Sequence, residues 1–194
     1  MINTENKKEV QCRANVYVNE RSIMLSDDIT EETAGIIMNA IIKINQADAI
    51  NEEIYKDYAR DPISIYINTN GGLCYDALGL ADIMMTSKTP IYTFAMGKCM
   101  SAGLILFLSG ERRYCTRNTT FMYHNLSHTV TGTYGKILED VEEDMRLEDR
   151  MDALVTSRCK ITDKMIATCK KEKSNMYIDA EQAKKLNIVN EIIG

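Results

Sequence analysis

Ile63-Ser64-Ile65-Tyr66-Ile67-Asn68-Thr69-Asn70-Gly71-Gly72 is the stretch that decides the fold. Ile63 to Asn68 reads as a buried strand, and Thr69 to Gly72 as the turn that ends it. Leu73 to Ser87 then carries a helical period. Paired glycines at a strand end let backbone N–H groups approach a ligand closely, because no Cβ intervenes. Such N–H groups are what an oxyanion needs. The strand-then-helix alternation repeats downstream, with a strand at Ile91 to Met96, a helix at Met100 to Ser109 and a strand at Thr120 to Tyr123. Alternation of this kind predicts right-handed crossovers and an α/β fold on a mostly parallel sheet.

The second helix start carries the chemistry. Ser101 lies in the glycine-bounded run Met96-Gly97-Lys98-Cys99-Met100-Ser101-Ala102-Gly103, and His124 closes Phe121-Met122-Tyr123-His124. The chain has two histidines, so one at the end of an apolar strand stands out. A serine hydroxyl is a poor nucleophile until a neighbouring base takes its proton. At a helix start, Ser101 faces free backbone N–H groups; its bland alternative is an ordinary N-cap. For His124, the bland alternative is a structural imidazole satisfied by backbone. An ordinary imidazole pKa of about 6.5 suits a general base. His128, in the following polar stretch, reads as a surface or handle residue rather than a catalytic one. Cys99 reads as a small apolar filler rather than a rival nucleophile. Lys98 raises a Ser–Lys alternative, but three residues before the serine it is expected to face solvent or a neighbouring segment.

Upstream, residues 1–13 are expected to be mobile, and Ala14 to Val18 and Arg21 to Leu25 to form strands about a turn at Asn19-Glu20. Thr30 caps a helix with Glu31 and Glu32 in its first turn, where the dipole favours acids. Its apolar face is Ala34, Ile37, Met38, Ile41, Ile42 and Ile44. Residues 46–61 are polar and weakly periodic, and read as an insertion whose local structure is left open. Downstream, Thr133 to Cys159 reads as a long amphipathic helix. Tyr134, Leu138, Val141, Met145, Asp152 and Val155 sit near heptad spacing, and Glu139, Asp140, Glu142, Glu143, Glu148 and Asp149 form the wet face. Thr162 caps a short helix, and Ala180 to Leu186 is the last one. With no repeats and no linker, residues 1–194 are expected to form a single domain.

A net charge of −5 and a pI near 5.2 argue against nucleic acid or an anionic membrane as the main partner. The polar start lacks an apolar signal core, and Leu104 to Leu108 is too short to span a bilayer. The expected compartment is the cytoplasm. The six cysteines are scattered without a C-x-x-C pair, so free thiols are expected and neither a metal nor a cofactor.

Taken in order, strand–Gly71-Gly72–helix, strand–Gly97…Ser101–helix, strand–His124 and the closing segment Met176 to Asn190 resemble the proteolytic subunit of the Clp protease family, from about Glu20 to Ile193. The resemblance implies a ClpP-like fold of the crotonase superfold, with repeated β-β-α units and a protruding handle at 125–159. It implies Ser101 as nucleophile, His124 as base, and Gly72 and Ala102 as oxyanion-hole donors. It further implies a homo-oligomer of stacked rings interlocked by the handle helix, a polypeptide substrate and a hexameric AAA+ ATPase partner. Tyr66 matches a position in that ATPase's docking pocket. No G-x-x-x-x-G-K-[ST] loop is present, so ATP use would belong to the partner.

Three departures stand out. Asn125-Leu126 follows His124 where the family usually has a proline, and Thr69-Asn70 replaces a Ser-Pro. The family's third catalytic residue is an aspartate five residues before the alanine that opens the last helix; here that position is Asn175. An amide oxygen can accept the imidazole N–H, but it brings no charge to stabilise the imidazolium. Asp179 and Glu172 remain open as substitutes. The expected function is a serine endopeptidase. Its alternatives are a weakly active or non-catalytic ring subunit partnering an active paralogue, a phage-type head maturation peptidase, and, more distantly, a crotonase-type acyl-CoA enzyme.

Overall fold

The computed structural model describes residues 11–194, with side chains described from Arg13 onward. In chain order the elements are strands Gln11–Arg13 (β1), Val16–Asn19 (β2) and Ser22–Leu25 (β3), helix Glu31–Ile54 (α1), strand Ile63–Thr69 (β4), helix Cys74–Thr86 (α2), strand Ile91–Met100 (β5), helix Ala102–Leu108 (α3), strands Arg112–Thr116 (β6) and Thr120–Tyr123 (β7), helices Tyr134–Arg158 (α4) and Asp163–Glu172 (α5), strand Met176–Asp179 (β8), helix Ala180–Lys185 (α6) and strand Glu191–Ile193 (β9).

They build one nine-stranded sheet. β1, β2 and β3 form an antiparallel meander. From β3 the sheet runs parallel through β4, β5 and β6 to β9. β5 forks: Tyr92 to Ala95 pair with β6, and Lys98 to Met100 pair with β7. β7 in turn holds β8 antiparallel. The α/β architecture and its mostly parallel sheet are as expected. The fork matters for function, because it brings the end of β5 and the end of β7 side by side.

β4 buries Ile63, Ile65, Ile67 and Thr69 and leaves Ser64, Tyr66 and Asn68 half-buried, so its isoleucine spacing encodes the core face. Every residue of α3 is buried. Such a helix has no wet side and shows no amphipathic period, which is why its sequence reads only as an apolar run. Phe107 of α3 packs on Phe121 of β7 with ring centroids 5.0 Å apart.

Of the segment 1–13 expected to be mobile, Gln11–Arg13 form β1, and the remainder lies outside the described residues. Within 46–61, whose local structure the sequence leaves open, helix α1 continues to Ile54. Its anchor is Asp48, fully buried despite its charge. The Asp48 carboxylate accepts hydrogen bonds from the Arg21 guanidinium, from Tyr58 Oη (2.6 Å) and from Thr89 Oγ1 (2.5 Å). Arg60 closes the returning chain onto Glu52, at 2.7 and 2.6 Å to its two oxygens. Burial pushes the Asp48 carboxyl up, but the donors from Arg21, Thr89 and Tyr58 outweigh it and hold the pKa at about 2.

Helix α4 fills the range expected for the long helix. Along its apolar stripe, Tyr134, Leu138, Val141 and Met145 are exposed, whereas Val155 is buried. The first half of the helix thus stands off the core and the second half packs on it. The five cysteines whose side chains are described are free. No helix among the described residues is long and apolar enough to cross a membrane.

Candidate active site

β5 ends at Met100, and Ser101 turns the chain into α3. The Ser101 N–H donates to the Met122 carbonyl at 2.8 Å, which ties the turn to β7. Its φ and ψ of 53° and −126° lie where residues with a Cβ are rarely found. The side chain caps nothing in its own helix; Oγ lies 2.7 Å from His124 Nε2 instead. The ordinary N-cap alternative therefore does not describe Ser101. For the hydroxyl to donate in this contact, Nε2 must be unprotonated and Nδ1 must carry the imidazole proton.

His124 leaves β7 two residues beyond the Met100–Met122 pairing. Burial pushes its pKa below the ordinary imidazole value, and the charge of Glu148 pushes back without restoring it. The downward shift favours the neutral ring, the form that can take a proton.

The paired glycines lie directly against the serine. A Cβ on Gly71 would come within 2.7 Å of the Ser101 Cβ, and one on Gly72 within 2.1 Å of the Ile29 carbonyl oxygen. Both have positive φ, 116° and 146°. The Ile29 N–H donates to the Gly71 carbonyl (2.7 Å) and the Leu73 N–H to the Ile29 carbonyl (2.8 Å), a pairing that passes over the N–H of Gly72. Ala102 is the first residue of α3, where an N–H has no partner within the helix. Among the described residues, no backbone hydrogen bond engages either N–H.

Asn175 is placed in register but turned away. The β7–β8 ladder pairs Tyr123 with Met176, so one step further sets Asn175 opposite His124. Its Nδ2, however, lies 3.4 Å from the Tyr177 hydroxyl, and no hydrogen bond joins it to the imidazole among the described residues. Asp179 is occupied elsewhere: its Oδ1 accepts the Gln182 N–H at 2.7 Å and caps α6. Glu172 lies at the end of α5 and, with Asn175 and Tyr177, lines a shallow apolar cleft.

The remaining candidates fall outside the Ser101–His124 contact. Cys99 is fully buried with its thiol on the Gly103 carbonyl (3.2 Å), and burial pushes its pKa far up, so it is no thiolate. Lys98 reaches Asn70 Oδ1 at 2.8 Å. His128 is exposed and 3.0 Å from Asp144 Oδ2.

Sequence reasoning missed the charged cluster beneath His124. Glu148, assigned to the wet face of α4, is turned inward: its Oε1 accepts the Leu126 N–H at 2.9 Å and its Oε2 pairs with Lys170 at 2.8 Å. Asp152, one helical turn on, accepts from Tyr123 Oη and from Lys170 Nζ, both at 2.5 Å. The available signal was Asp152 itself, a charge on an otherwise apolar stripe.

The profile of the Clp protease family matches residues 5–194. The chain is 25% identical over 181 residues to the ATP-dependent Clp protease proteolytic subunit 1 of Rhodopirellula baltica, covering 91% of this chain and 79% of that one. It is 27% identical to the subunit of the same name from Prochlorococcus marinus, covering 90% of this chain and 84% of that one. Among solved structures it resembles an asparagine-to-aspartate mutant of ClpP1 from Listeria monocytogenes, with a TM-score of 0.74 and 22% identity over 90% of this chain and 91% of that one. At that identity the structural likeness speaks to the fold.

Proposed function

Because this chain belongs to the Clp protease family, whose members are in general serine peptidases, we propose that it is a Clp-type endopeptidase subunit acting on unfolded polypeptides or short peptides. The observation that carries this reading is the 2.7 Å contact between Ser101 Oγ and His124 Nε2 beside the Gly71-Gly72 turn. In acylation, Ser101 Oγ attacks the scissile carbonyl carbon while its proton passes to His124 Nε2. The N–H groups of Gly72 and Ala102 receive the resulting oxyanion. The tetrahedral adduct collapses, the C–N bond breaks, and His124 returns the proton to the leaving amine. Water, activated by the same imidazole, then cleaves the ester. Asn175, immediately before β8 and one step along from the Tyr123–Met176 pairing, orients the ring once its amide turns from Tyr177 and presents its oxygen to Nδ1–H.

The same reading assigns partners. The half-stacked row Tyr66–Phe94–Tyr114, with centroids 4.9 Å apart at each step, crosses β4, β5 and β6. Tyr66 carries the resemblance to an ATPase docking position, and the row around it is the proposed contact for a hexameric AAA+ partner. The exposed half of α4 is proposed as the contact between stacked rings, and the cytoplasm as the working compartment. A single domain with an inserted 46–61 segment is the proposed organisation.

A fluorophosphonate probe tests the chemistry directly: Ser101 Oγ forms the bond to phosphorus as fluoride leaves. Labelling of one site that disappears in Ser101→Ala is expected. Labelling that persists in Ser101→Ala moves the chemistry elsewhere. The second reading is a weakly active ring subunit that partners an active paralogue. The Asn175–Tyr177 contact favours it, since it leaves the amide off the imidazole. Absence of labelling in the assembled wild-type protein would select it.

A further inference from the structure

The segment around His124 is held on both sides by carboxylates of one helix, at the Tyr123 side chain and the Leu126 backbone. Tyr123, immediately before it, donates its hydroxyl to Asp152, and Leu126, two residues after it, donates its N–H to Glu148. Lys170 of α5 bridges the two carboxylates at 2.8 and 2.5 Å. Two carboxylates sharing one ammonium leave a net negative charge under the catalytic loop. The three side chains are only 15% to 27% exposed, so that charge is incompletely screened.

Resting on the Ser–His reading above, we infer that Glu148 is a positioning residue for His124, supplying from helix α4 the negative charge that Asn175 cannot. Orientation and charge, which one aspartate usually combines, are here divided between the amide of Asn175, just before β8, and a carboxylate on α4. The electrostatic direction agrees: Glu148 is the charge that opposes the lowering of the His124 pKa by burial. The groups facing the imidazole region are Glu148 and Asp152 from α4, Lys170 from α5, Tyr123 from β7 and the uncharged Asn175 before β8. Lys170 tempers the effect, and Asp152 is partly spent on Tyr123. Glu148 is thus left as the carboxylate whose field reaches the ring.

The experiment is the pH dependence of the fluorophosphonate labelling rate. Glu148→Gln keeps an acceptor for the Leu126 N–H but removes the charge. Its acid limb should move to lower pH than in the wild type, and its plateau rate should fall about tenfold, because a weaker base transfers the proton less well. Asp144→Asn, one turn away and paired with His128, should superimpose on the wild type. Lys170→Met unmasks the Glu148 charge and should move the limb to higher pH. It decides the matter if Glu148→Gln does not fold. A Glu148→Gln protein that labels with the wild-type limb and plateau overturns the inference and leaves the Ser–His reading standing. So does an unmoved limb in Lys170→Met. A wild type that does not label at all removes the reading and the inference with it.

Discussion

Gly71 and Ser101 meet so closely that the serine's place depends on the absence of a side chain at the glycine. A Cβ there would lie 2.7 Å from Ser101 Cβ and 2.9 Å from the Met100 carbonyl oxygen. β4 and β5 pair irregularly where these turns begin, with the register shifting between Ile67 and Thr69. The shift lets the two strand ends converge.

Gly71→Ala should therefore displace the serine rather than merely strain a loop. The positive φ of 116° adds a backbone penalty of roughly 1–3 kcal/mol. A displacement approaching 1 Å at a reacting atom costs about a hundredfold in rate. The expected outcome is a folded protein with labelling of Ser101 slowed about a hundredfold. A wild-type labelling rate in Gly71→Ala would show that the turn does not hold the nucleophile.

The Asp48 network makes a separate prediction about acid stability. The carboxylate is fully buried, while its partner Arg21 is 28% exposed on the side chain. Removing the charge with Asp48→Asn leaves the Arg21 guanidinium short of a partner and should cost about 2–4 kcal/mol. That is a melting temperature lower by roughly 5–12 °C for a chain of this size. The folded pKa of about 2 lies below the ordinary aspartate value, so the contribution is whole above about pH 4. It is lost as pH falls through 2. Melting curves across that window should show wild type and Asp48→Asn converging at the acid end. A constant gap between them would rule out the carboxylate as the cause.

Helix α4 predicts assembly. Tyr134 is 79% exposed and Met145 62% exposed on an apolar stripe whose far end is buried. An apolar stripe this exposed marks an interface. Light scattering at micromolar concentration should report a ring-based oligomer, and Leu138→Glu with Met145→Glu should reduce it to smaller species while the fold survives by circular dichroism. A wild-type monomer under the same conditions would contradict the ring.

How much of this was legible in the sequence depends on whether a residue's role was local. β4, the Gly71-Gly72 turn, α2, the Ser101 turn and β7 all carry local signals: alternating isoleucines, paired glycines, a helical period. These sufficed for the sheet and for the Ser101–His124 pair. β6, β8 and β9 are short, and take their strand character from a neighbour across the sheet rather than from their own composition. Residues 46–61 were opaque because α1 continues there on a buried carboxylate, the reverse of the usual helical pattern. Glu148 was opaque for a like reason. An acidic helix residue reads as solvated until the fold shows which backbone N–H and which lysine it meets.

Asn175 carries the last prediction. The β7–β8 register already places it opposite His124, so Asn175→Asp needs no backbone change to bring a carboxylate beside the imidazole. A charge there would stabilise the imidazolium formed as Ser101 gives up its proton. In a serine protease that relies on its aspartate alone, replacing the aspartate by asparagine costs about ten-thousandfold. With Glu148 already contributing, the gain in peptide turnover should be far smaller, on the order of tenfold. Asp179→Asn and Glu172→Gln provide the comparison. Asp179 caps α6, and asparagine caps helices equally well, so the first should leave turnover unchanged. Glu172 makes no hydrogen bond to His124 among the described residues, so the second should do the same. Peptide hydrolysis by the three variants, measured side by side with the wild type, decides the matter. No gain in Asn175→Asp, together with collapse in either of the others, would take Asn175 out of the catalytic arrangement and put the collapsing carboxylate in its place.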